Sequence, residues 1–245
     1  MAVCPAAAIA VDGRKLTPGD MFLLPRPEAG DGYEAFVRLA ERRRSIRAFA
    51  DEPVSDEYIQ KIVDAVAMAP MSIPPSEVGV LILDSREKVS QFSKDICEAV
   101  AGAKWLTSPS FLNLTRFFRS KEIDAMFRRF LGPLMEAYTS QMSQGRNVIL
   151  YDAPLAMYFY GSPYSDADQM IAATYAMLAG EALGLGTCLI GGVHPFLQHG
   201  PTGARLRKKY SIQYKSQTGL VVIFGHHTAI HTKGIRRRMS RIHRL

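Results

Sequence analysis

The sequence contains few cysteines and no long apolar run. Its three cysteines, Cys4, Cys97 and Cys188, are odd in number and widely separated, which excludes a disulfide scaffold and favours a reducing compartment. No apolar run reaches the roughly 18 residues that a membrane helix needs, and the first residues show no signal-peptide pattern. We therefore predict a cytoplasmic protein with no membrane partner.

The signatures of several enzyme classes are also missing. Gly180, Gly184 and Gly186 follow a helical pattern and lack the G-x-G-x-x-G spacing of a dinucleotide fold. There is no P-loop, HExxH, CxxC or G-x-S-x-G motif. All six histidines lie in the last third of the chain, but residues 187–245 contain no Asp or Glu to complete a metal site. We predict no bound metal and no catalytic triad.

The chain is long enough to bury a core of its own. Its 245 residues are 47% hydrophobic and 22% charged, which is typical of a globular protein. Prolines interrupt residues 1–30, so we predict an irregular N-terminal arm there, followed by one domain over residues 31–245. Cys4-Pro5 resembles the end of a ferredoxin-type cluster motif whose three other cysteines are absent. Three alternatives follow: the start of the segment has been cut, the arm is a structural remnant of it, or the Cys-Pro pair is a coincidence.

The net charge of +7 comes mainly from two short clusters. Six cations and no acid lie within residues 233–245, and four arginines lie within residues 42–47. Such charge can serve nucleic acid, an acidic membrane or a phosphate-bearing cofactor, or it can be a solvated tail and helix end. Two compact clusters are unlike the basic stripe expected along a duplex. Arg43, Ser45 and Arg47 offer two guanidinium groups and a hydroxyl, a set that can surround a phosphate dianion.

The spacing of apolar residues predicts alternating helices and strands. Ser55 would cap the second helix, and Gly184 would end the last long one in a left-handed conformation. The predicted helices cover residues 33–44, 55–69, 86–101, 121–143 and 166–183, and the predicted strands cover residues 78–83, 154–160, 187–190 and 220–224. This order predicts a layered α/β or α+β domain.

Several short segments follow one another in an order that is typical of one enzyme family. They are RRSIRAF at residues 43–49, PVS at 53–55, AMAP at 67–70, DAP at 152–154, Asp168, GEALGLGT at 180–187 and LIGG at 189–192. Together they resemble the nitroreductase family of flavoproteins over residues 33–245. A series of motifs is far more specific than any one of them. Some members of this family resemble a reductase with a ferredoxin module fused ahead of it, and Cys4-Pro5 also fits that arrangement.

The resemblance implies a fold, a cofactor and a subunit arrangement. The family fold is α+β, with a central mixed, mainly antiparallel sheet flanked by helices. Two chains intertwine as a homodimer, with FMN in each of the two interface clefts. Arg43, Ser45 and Arg47 would hold the FMN phosphate and ribityl chain, and Arg44 would contribute mainly backbone contacts.

The same resemblance implies contacts at both ends of the FMN. Pro70, Met71 and Ser72 would reach the isoalloxazine from the partner chain. Ile190, Gly191 and Gly192 would pass close to the ring, where glycine lets the backbone approach N5. The remaining contacts, a second cationic clamp on the phosphate, would come from Arg236 and Arg237, with Lys233 behind them.

Two positions depart from the family pattern. The usual Ser-Ser-x-Asn-x-Gln-Pro-Trp stretch is replaced by residues 71–78, which lack the asparagine and the glutamine. The position near N5 that is often Glu in the family is Gly191. Both departures bear on substrate class and flavin tuning, and neither removes the phosphate site.

Residues 104–147 are rich in aromatic side chains. These are Trp105, Phe111, Phe117, Phe118, Phe127 and Phe130. The segment is either a variable helical lid over the flavin ring or an extra helix that packs into the core.

The resemblance implies an FMN-dependent NAD(P)H oxidoreductase. Two electrons would pass from a reduced nicotinamide, or from a ferredoxin-type donor, to nitro-aromatic, quinone-like or related acceptors by a ping-pong mechanism. The flavin would carry the chemistry, so no catalytic side chain is predicted. One alternative is a flavoprotein of the same fold that performs reductive dehalogenation or ene reduction. The other is a basic binding protein without chemistry, but the tail has few aromatic side chains to stack on bases, so we predict no nucleic-acid partner.

Overall fold

The computed structural model describes residues 32–72, 77–228, 231–235 and 238–244. The predicted arm with its ferredoxin-like remnant, and both Arg236 and Arg237, lie outside the described residues. The helices are α1 (Gly32–Arg42), α2 (Asp56–Ala67), α3 (Arg86–Ala103), α4 (Pro109–Leu114), α5 (Lys121–Met126), α6 (Gly132–Ser143), α7 (Asp168–Ala182), α8 (His194–Gln198) and α9 (Gly200–Lys209). The strands are β1 (Gly79–Leu83), β2 (Leu155–Tyr160), β3 (Gly186–Ile190) and β4 (Gly219–Gly225).

The four strands form one sheet in the order β1-β2-β4-β3. All three strand pairings are antiparallel, with Leu81 opposite Tyr158, Tyr158 opposite Val221 and Cys188 opposite Ile223. Within the described residues, parallel pairing is limited to a single bridge between Ser45 and Thr187. The predicted α+β class is therefore confirmed, and β3 is an edge strand that another segment can join.

Both faces of the sheet are covered by helices, so the strands are apolar along their whole length. On β2, Ala156 and Tyr158 point to a core shared with α3, α6 and α8, whereas Met157 and Phe159 point to a core shared with α2 and α7. The alternation follows from the two-residue period of a strand. All residues of β2 and β4 are buried, which explains the continuous apolar runs in the sequence.

Local signals at helix ends are confirmed where they involve side-chain or glycine caps. The Ser55 hydroxyl accepts a hydrogen bond from the backbone N–H of Tyr58 at the start of α2. Gly184 has a φ of 84°, and the N–H of Leu185 donates to the carbonyl of Gly180 at 2.9 Å, which closes the end of α7.

The helix predicted over residues 121–143 is confirmed, and it contains a π-helical segment at Phe127–Leu131 between α5 and α6. Pro133 has no N–H to donate and its ring crowds the preceding turn, which disfavours a regular helix there. The N–H of Gly132 instead donates five residues back, to the carbonyl of Phe127. The wider turn changes the directions of the side chains on either side of it.

The aromatic side chains of residues 104–147 are mostly on the surface. Trp105, Phe117, Phe118 and Phe130 are 57%, 95%, 89% and 63% exposed, so packing into the core does not account for them. None of the described helices is long and apolar enough to cross a membrane. In the same residues, no three His, Cys, Asp or Glu side chains come together as metal ligands.

Candidate functional site

The segment RRSIRAF at residues 43–49, called the arginine motif below, lies along the free edge of β3. The N–H of Ile46 donates to the carbonyl of Thr187 at 2.8 Å, and Ser45 forms the parallel bridge with Thr187. Beyond β4, the N–H of Ala50 donates to the carbonyl of His226 at 2.7 Å. Ile46 is buried and anchors the segment, whereas Ser45 and Arg47 are exposed and Arg43 and Arg44 are half-buried.

Arg43 lies near the carboxyl end of α7, where Glu181 is half-buried. The hydroxyl of Thr187 donates to Oε1 of Glu181 at 2.6 Å. Burial raises the pKa of Glu181, and the hydrogen bond from Thr187 and the charge of Arg43 offset part of that rise. The edge of β3 thus brings one guanidinium group close to a carboxyl group that sequence reasoning missed.

Ser45 and Arg47 flank the buried thiol of Cys188 on β3. Burial raises the pKa of Cys188, whereas the Arg47 charge and a hydrogen bond from Ser45 act in the opposite direction. The Arg47 guanidinium carbon lies 5.5 Å from the centre of the Tyr151 ring. This is within the range of a cation–π contact. The serine and both outer arginines of the motif are therefore held at the same end of one strand.

Tyr151 lies in a turn in which two consecutive residues have left-handed backbones. Tyr151 and Asp152 have φ values of 55° and 48°, a conformation that costs free energy for residues other than glycine. Asn147 stabilises the turn, because its Oδ1 accepts from the N–H of Leu150 and its Nδ2 donates to Asp152. Arg86 donates both to the carbonyl of Asp152 and to that of Ala50, so it joins this turn to the end of the arginine motif.

The C-terminal tail returns to the arginine motif at Arg44. The Arg44 guanidinium donates to the carbonyls of Glu41 and Arg43, both at 2.7 Å, and it packs directly against Gly234. Lys233, the residue before Gly234, is exposed. The two basic clusters of the sequence therefore approach each other, as far as the described residues of the tail extend.

The loop after β3 carries Gly191 and Gly192, which follow Thr187 by one strand length, about 13 Å. A Cβ on Gly192 would lie 2.7 Å from the hydroxyl oxygen of Tyr138, so this backbone touches α6 closely. A Cβ on Gly191 would find its nearest neighbour, Leu220 Cδ1, at 3.8 Å. Burial raises the pKa of Tyr138 to about 12, so its hydroxyl is neutral. The backbone of Gly191 remains open to an approaching molecule.

Pro70, Met71 and Ser72 lie on the other face of the sheet. The N–H of Ser72 donates to the carboxylate of Asp168 at 3.1 Å, and its hydroxyl donates to the same group at 2.9 Å. Burial alone would raise the pKa of Asp168, but hydrogen bonds from Ser165 and Ser72 outweigh it and lower the pKa. Met71 packs into the core under α7, whereas Gly192 contacts α6. Met71 and Gly192 therefore lie on opposite faces of the sheet, while the side chain nearest to a Cβ on Gly191, Leu220, belongs to the same core as Met71.

A buried polar network lies just after the glycine loop and gave no signal in the sequence. Gln198 donates to the hydroxyl of Tyr158, which contacts Nδ1 of His194 at 2.9 Å, and Nε2 of His194 contacts the carbonyl of Gln217 at 3.1 Å. These partners suit a neutral His194 with its proton on Nε2. Burial lowers the pKa of His194. The network fixes the start of α8, directly behind Gly192.

Comparison with known proteins identifies the family. The model of the family described as "Nitroreductase family" matches residues 40–226, which include the arginine motif, the left-handed turn and the glycine loop. The chain belongs to the nitroreductase family. The resemblance seen in the motifs is thereby confirmed, whereas the roles given to individual residues stay predictions.

This nitroreductase-family chain is similar to proteins of known sequence and of known structure. The chain is 32% identical over 158 residues to an FMN reductase [NAD(P)H] of Bacillus subtilis (strain 168), and the match covers 64% of this chain. The chain spans about half the length of that curated relative, 54%. A nitroreductase of Desulfitobacterium hafniense solved with bound FMN superposes with a TM-score of 0.59 at 18% identity, covering 84% of this chain and 97% of its own. One of Bacteroides fragilis with bound FMN gives 0.60 at 15% identity, covering 84% and 96%.

Proposed function

We propose that this chain binds FMN and is an NAD(P)H oxidoreductase. Two electrons pass from a reduced nicotinamide, or from a ferredoxin-type donor, to a nitro-aromatic, quinone-like or related acceptor in a ping-pong sequence. Membership of the nitroreductase family supports this proposal, as do the B. subtilis FMN reductase [NAD(P)H] and the two relatives solved with bound FMN. We also propose that the protein is cytoplasmic.

The observation that carries the proposal is the elongated arrangement along β3. Arg43, Ser45 and Arg47 lie at one end, and the open backbone of Gly191 lies about 13 Å away at the other. A cofactor with a phosphate at one end and a flat ring at the other needs these two features at such a separation. The residues present therefore fit FMN, with the cations for the phosphate and the glycine loop for the ring.

When bound, FMN supplies two-electron redox chemistry that the protein's own side chains lack. The two arginines hold the phosphate by charge-assisted hydrogen bonds, and Ser45 offers a hydroxyl beside them. Lys233, Arg236 and Arg237 are proposed to add a second cationic clamp, which the packing of Gly234 on Arg44 supports. The backbone of Gly191 approaches the ring, and the neutral Tyr138 holds the loop from behind.

We further propose a homodimer in which the partner chain supplies Pro70, Met71 and Ser72. Met71 packs under α7 and Gly192 contacts α6 on the opposite face of the sheet, which favours a second chain that brings both groups to one FMN. The apolar stripe of α1 supports the proposal, because Tyr33 and Phe36 are 75% and 57% exposed and no residue of α1 is buried. Light scattering at several protein concentrations tests it, and a stable monomer that retains FMN would contradict it.

The visible spectrum of the purified protein tests cofactor binding. We expect a yellow protein with oxidised-flavin bands, or a colourless one that takes up FMN on titration. Arg43→Ala and Arg47→Ala should each weaken FMN binding about 10- to 100-fold, because each removes a charge-assisted contact. Arg241→Ala, on an exposed tail residue, is the matched control. Equal losses in all three variants, or a wild-type protein that binds no FMN, would overturn the phosphate assignment.

Assays of the FMN-loaded protein test the reaction. Oxidation of NADH or NADPH should depend on added nitro-aromatic or quinone acceptors, with the parallel initial-rate lines of a ping-pong sequence. Turnover only with halogenated or α,β-unsaturated acceptors would instead indicate reductive dehalogenation or ene reduction on the same site.

A further inference from the structure

A basic cavity lies in the helical segment between β1 and β2, away from the arginine motif. Its volume is about 330 Å³. It is lined by five cationic side chains and one carboxylate, which are Arg116, Arg119, Lys121, Arg128, Arg129 and Asp124. No function so far described uses this concentration of charge.

The only carboxylate of the lining is already paired. Asp124 accepts from Nη2 of Arg119 at 3.0 Å and from Nε of Arg128 at 2.8 Å. Arg119 is held further by the carbonyl of Leu112 at 2.6 Å and lies against the ring of Phe127. These contacts fix two guanidinium groups in place before any ligand arrives, so little conformational entropy is lost when they bind one.

The other three cations of the cavity have no internal partner. Within the described residues, the charged groups of Arg116, Lys121 and Arg129 make no hydrogen bond or ion pair. Nε of Arg119 is buried and also lacks a hydrogen-bond partner there. The lining thus has donors and positive charge to spare, and its one carboxylate is neutralised, which excludes a cation as its ligand.

The π-helical segment explains why arginines meet in this place. Arg128 and Arg129 both belong to Phe127–Leu131, where the wider turn shifts the directions of consecutive side chains. Such segments often occur at functional sites. The wider turn before Pro133 therefore shapes one wall of the cavity.

We propose that the basic cavity binds a phosphate-bearing small molecule. Arginine forks match phosphate oxygens, and several cations around one cavity favour an anion of more than one charge. The phosphate can belong to the nicotinamide donor or to a separate phosphorylated compound. The first source rests on the proposed function. It is supported by the position of Arg129, which precedes Leu134 by five residues, about 8 Å along the helix, and Leu134 is a neighbour of Gly192.

Calorimetric titration of the FMN-loaded protein with inorganic pyrophosphate tests the proposal. Bound FMN occupies the arginine motif, so the probe reports on the basic cavity. The double variant Arg116→Ala/Arg129→Ala should bind pyrophosphate at least about tenfold more weakly, and the wild-type affinity should fall as salt is added. Arg205→Ala, on an exposed arginine of α9, should bind like the wild type. No binding by the wild type, or equal binding by the double variant, overturns the proposal.

Steady-state kinetics distinguish the two sources of phosphate. A raised KM for NADPH, NADH or both in the double variant, with kcat unchanged, assigns the cavity to the donor. Unchanged KM values with weakened pyrophosphate binding assign it to a separate phosphorylated compound. If the protein takes up no FMN, the proposed function fails, but titration of the Arg43→Ala protein with pyrophosphate still decides whether the cavity binds phosphate.

Discussion

Gly192→Ala, which adds one methyl group, should destabilise the loop after β3. Removing the hydroxyl oxygen of Tyr138 in the same chain should restore most of the lost stability. A Cβ at this position would lie 2.7 Å from the hydroxyl oxygen of Tyr138 and 3.4 Å from Cδ2 of Leu134. The first distance is a clash and the second only a tight contact. Because Tyr138 is buried in the core, it cannot simply rotate away. Overpacking of this kind costs about 1–3 kcal/mol of unfolding free energy.

The double variant Gly192→Ala/Tyr138→Phe separates this clash from any other effect of alanine. Without the hydroxyl, the nearest tyrosine ring atom, Cζ, is 3.7 Å from the new methyl group. The double variant should therefore regain most of the lost stability. Gly191→Ala is the matched control, because its Cβ has no neighbour closer than 3.8 Å.

Denaturant unfolding and FMN titration measure the two consequences. Each kcal/mol lost should lower Tm by about 2–4 °C in a chain of this length. If the glycine loop contacts the flavin as proposed, FMN binding should weaken in Gly192→Ala and recover in the double variant. A Gly192→Ala protein as stable as Gly191→Ala, or a double variant that recovers nothing, would refute the reasoning.

Three further perturbations have outcomes set by named contacts. Arg86→Met should lower the unfolding free energy by about 2 kcal/mol or more, because the carbonyls of Ala50 and Asp152 lose a charged donor. Lys88→Ala, which removes an exposed ion pair, should lower it by less than about 1 kcal/mol, and denaturant unfolding measures both variants. The lowered pKa of Asp168 adds stability above about pH 4 that is lost as the pH falls through the folded-state pKa, and Asp168→Asn should abolish that loss in acid titrations followed by circular dichroism. The lowered pKa of His194 means that stability falls as the pH drops below about 6.5, since the unfolded chain binds the proton first. His194→Gln should remove this pH dependence of the unfolding midpoint. A variant that retains the dependence would assign the effect to another group.

Features that depend on neighbouring residues were predictable. The Ser55 cap and the left-handed Gly184 follow from local hydrogen bonding and backbone sterics. The buried strands follow from continuous apolar runs. The helix over residues 121–143 was predictable too, but its π-helical segment was not, because apolar spacing does not register how Pro133 changes the turn before it. For the aromatic residues of that region the sequence left a lid and core packing both open, since composition does not say which face has a covering layer.

The candidate site was predictable as a set of residue types, and its arrangement was not. The motif with Arg43 and Arg47 marks a phosphate-binding composition, and its membership of a motif series identifies the family. Glu181, Tyr151 and Cys188 entered only through contacts with residues far away in the chain. No local pattern reports such contacts, because they depend on which strand edge the motif joins.

The sequence by itself determined the family, the order of helices and strands, and the presence of two basic clusters. These depend on periodicity, caps and motif order, all of which act over a few residues. Only the tertiary structure decided that Arg44 meets Gly234, that Ser72 and Gly192 lie on opposite faces of the sheet, and that a second set of arginines surrounds a cavity. Those facts depend on how distant segments pack, and packing is a property of the whole chain.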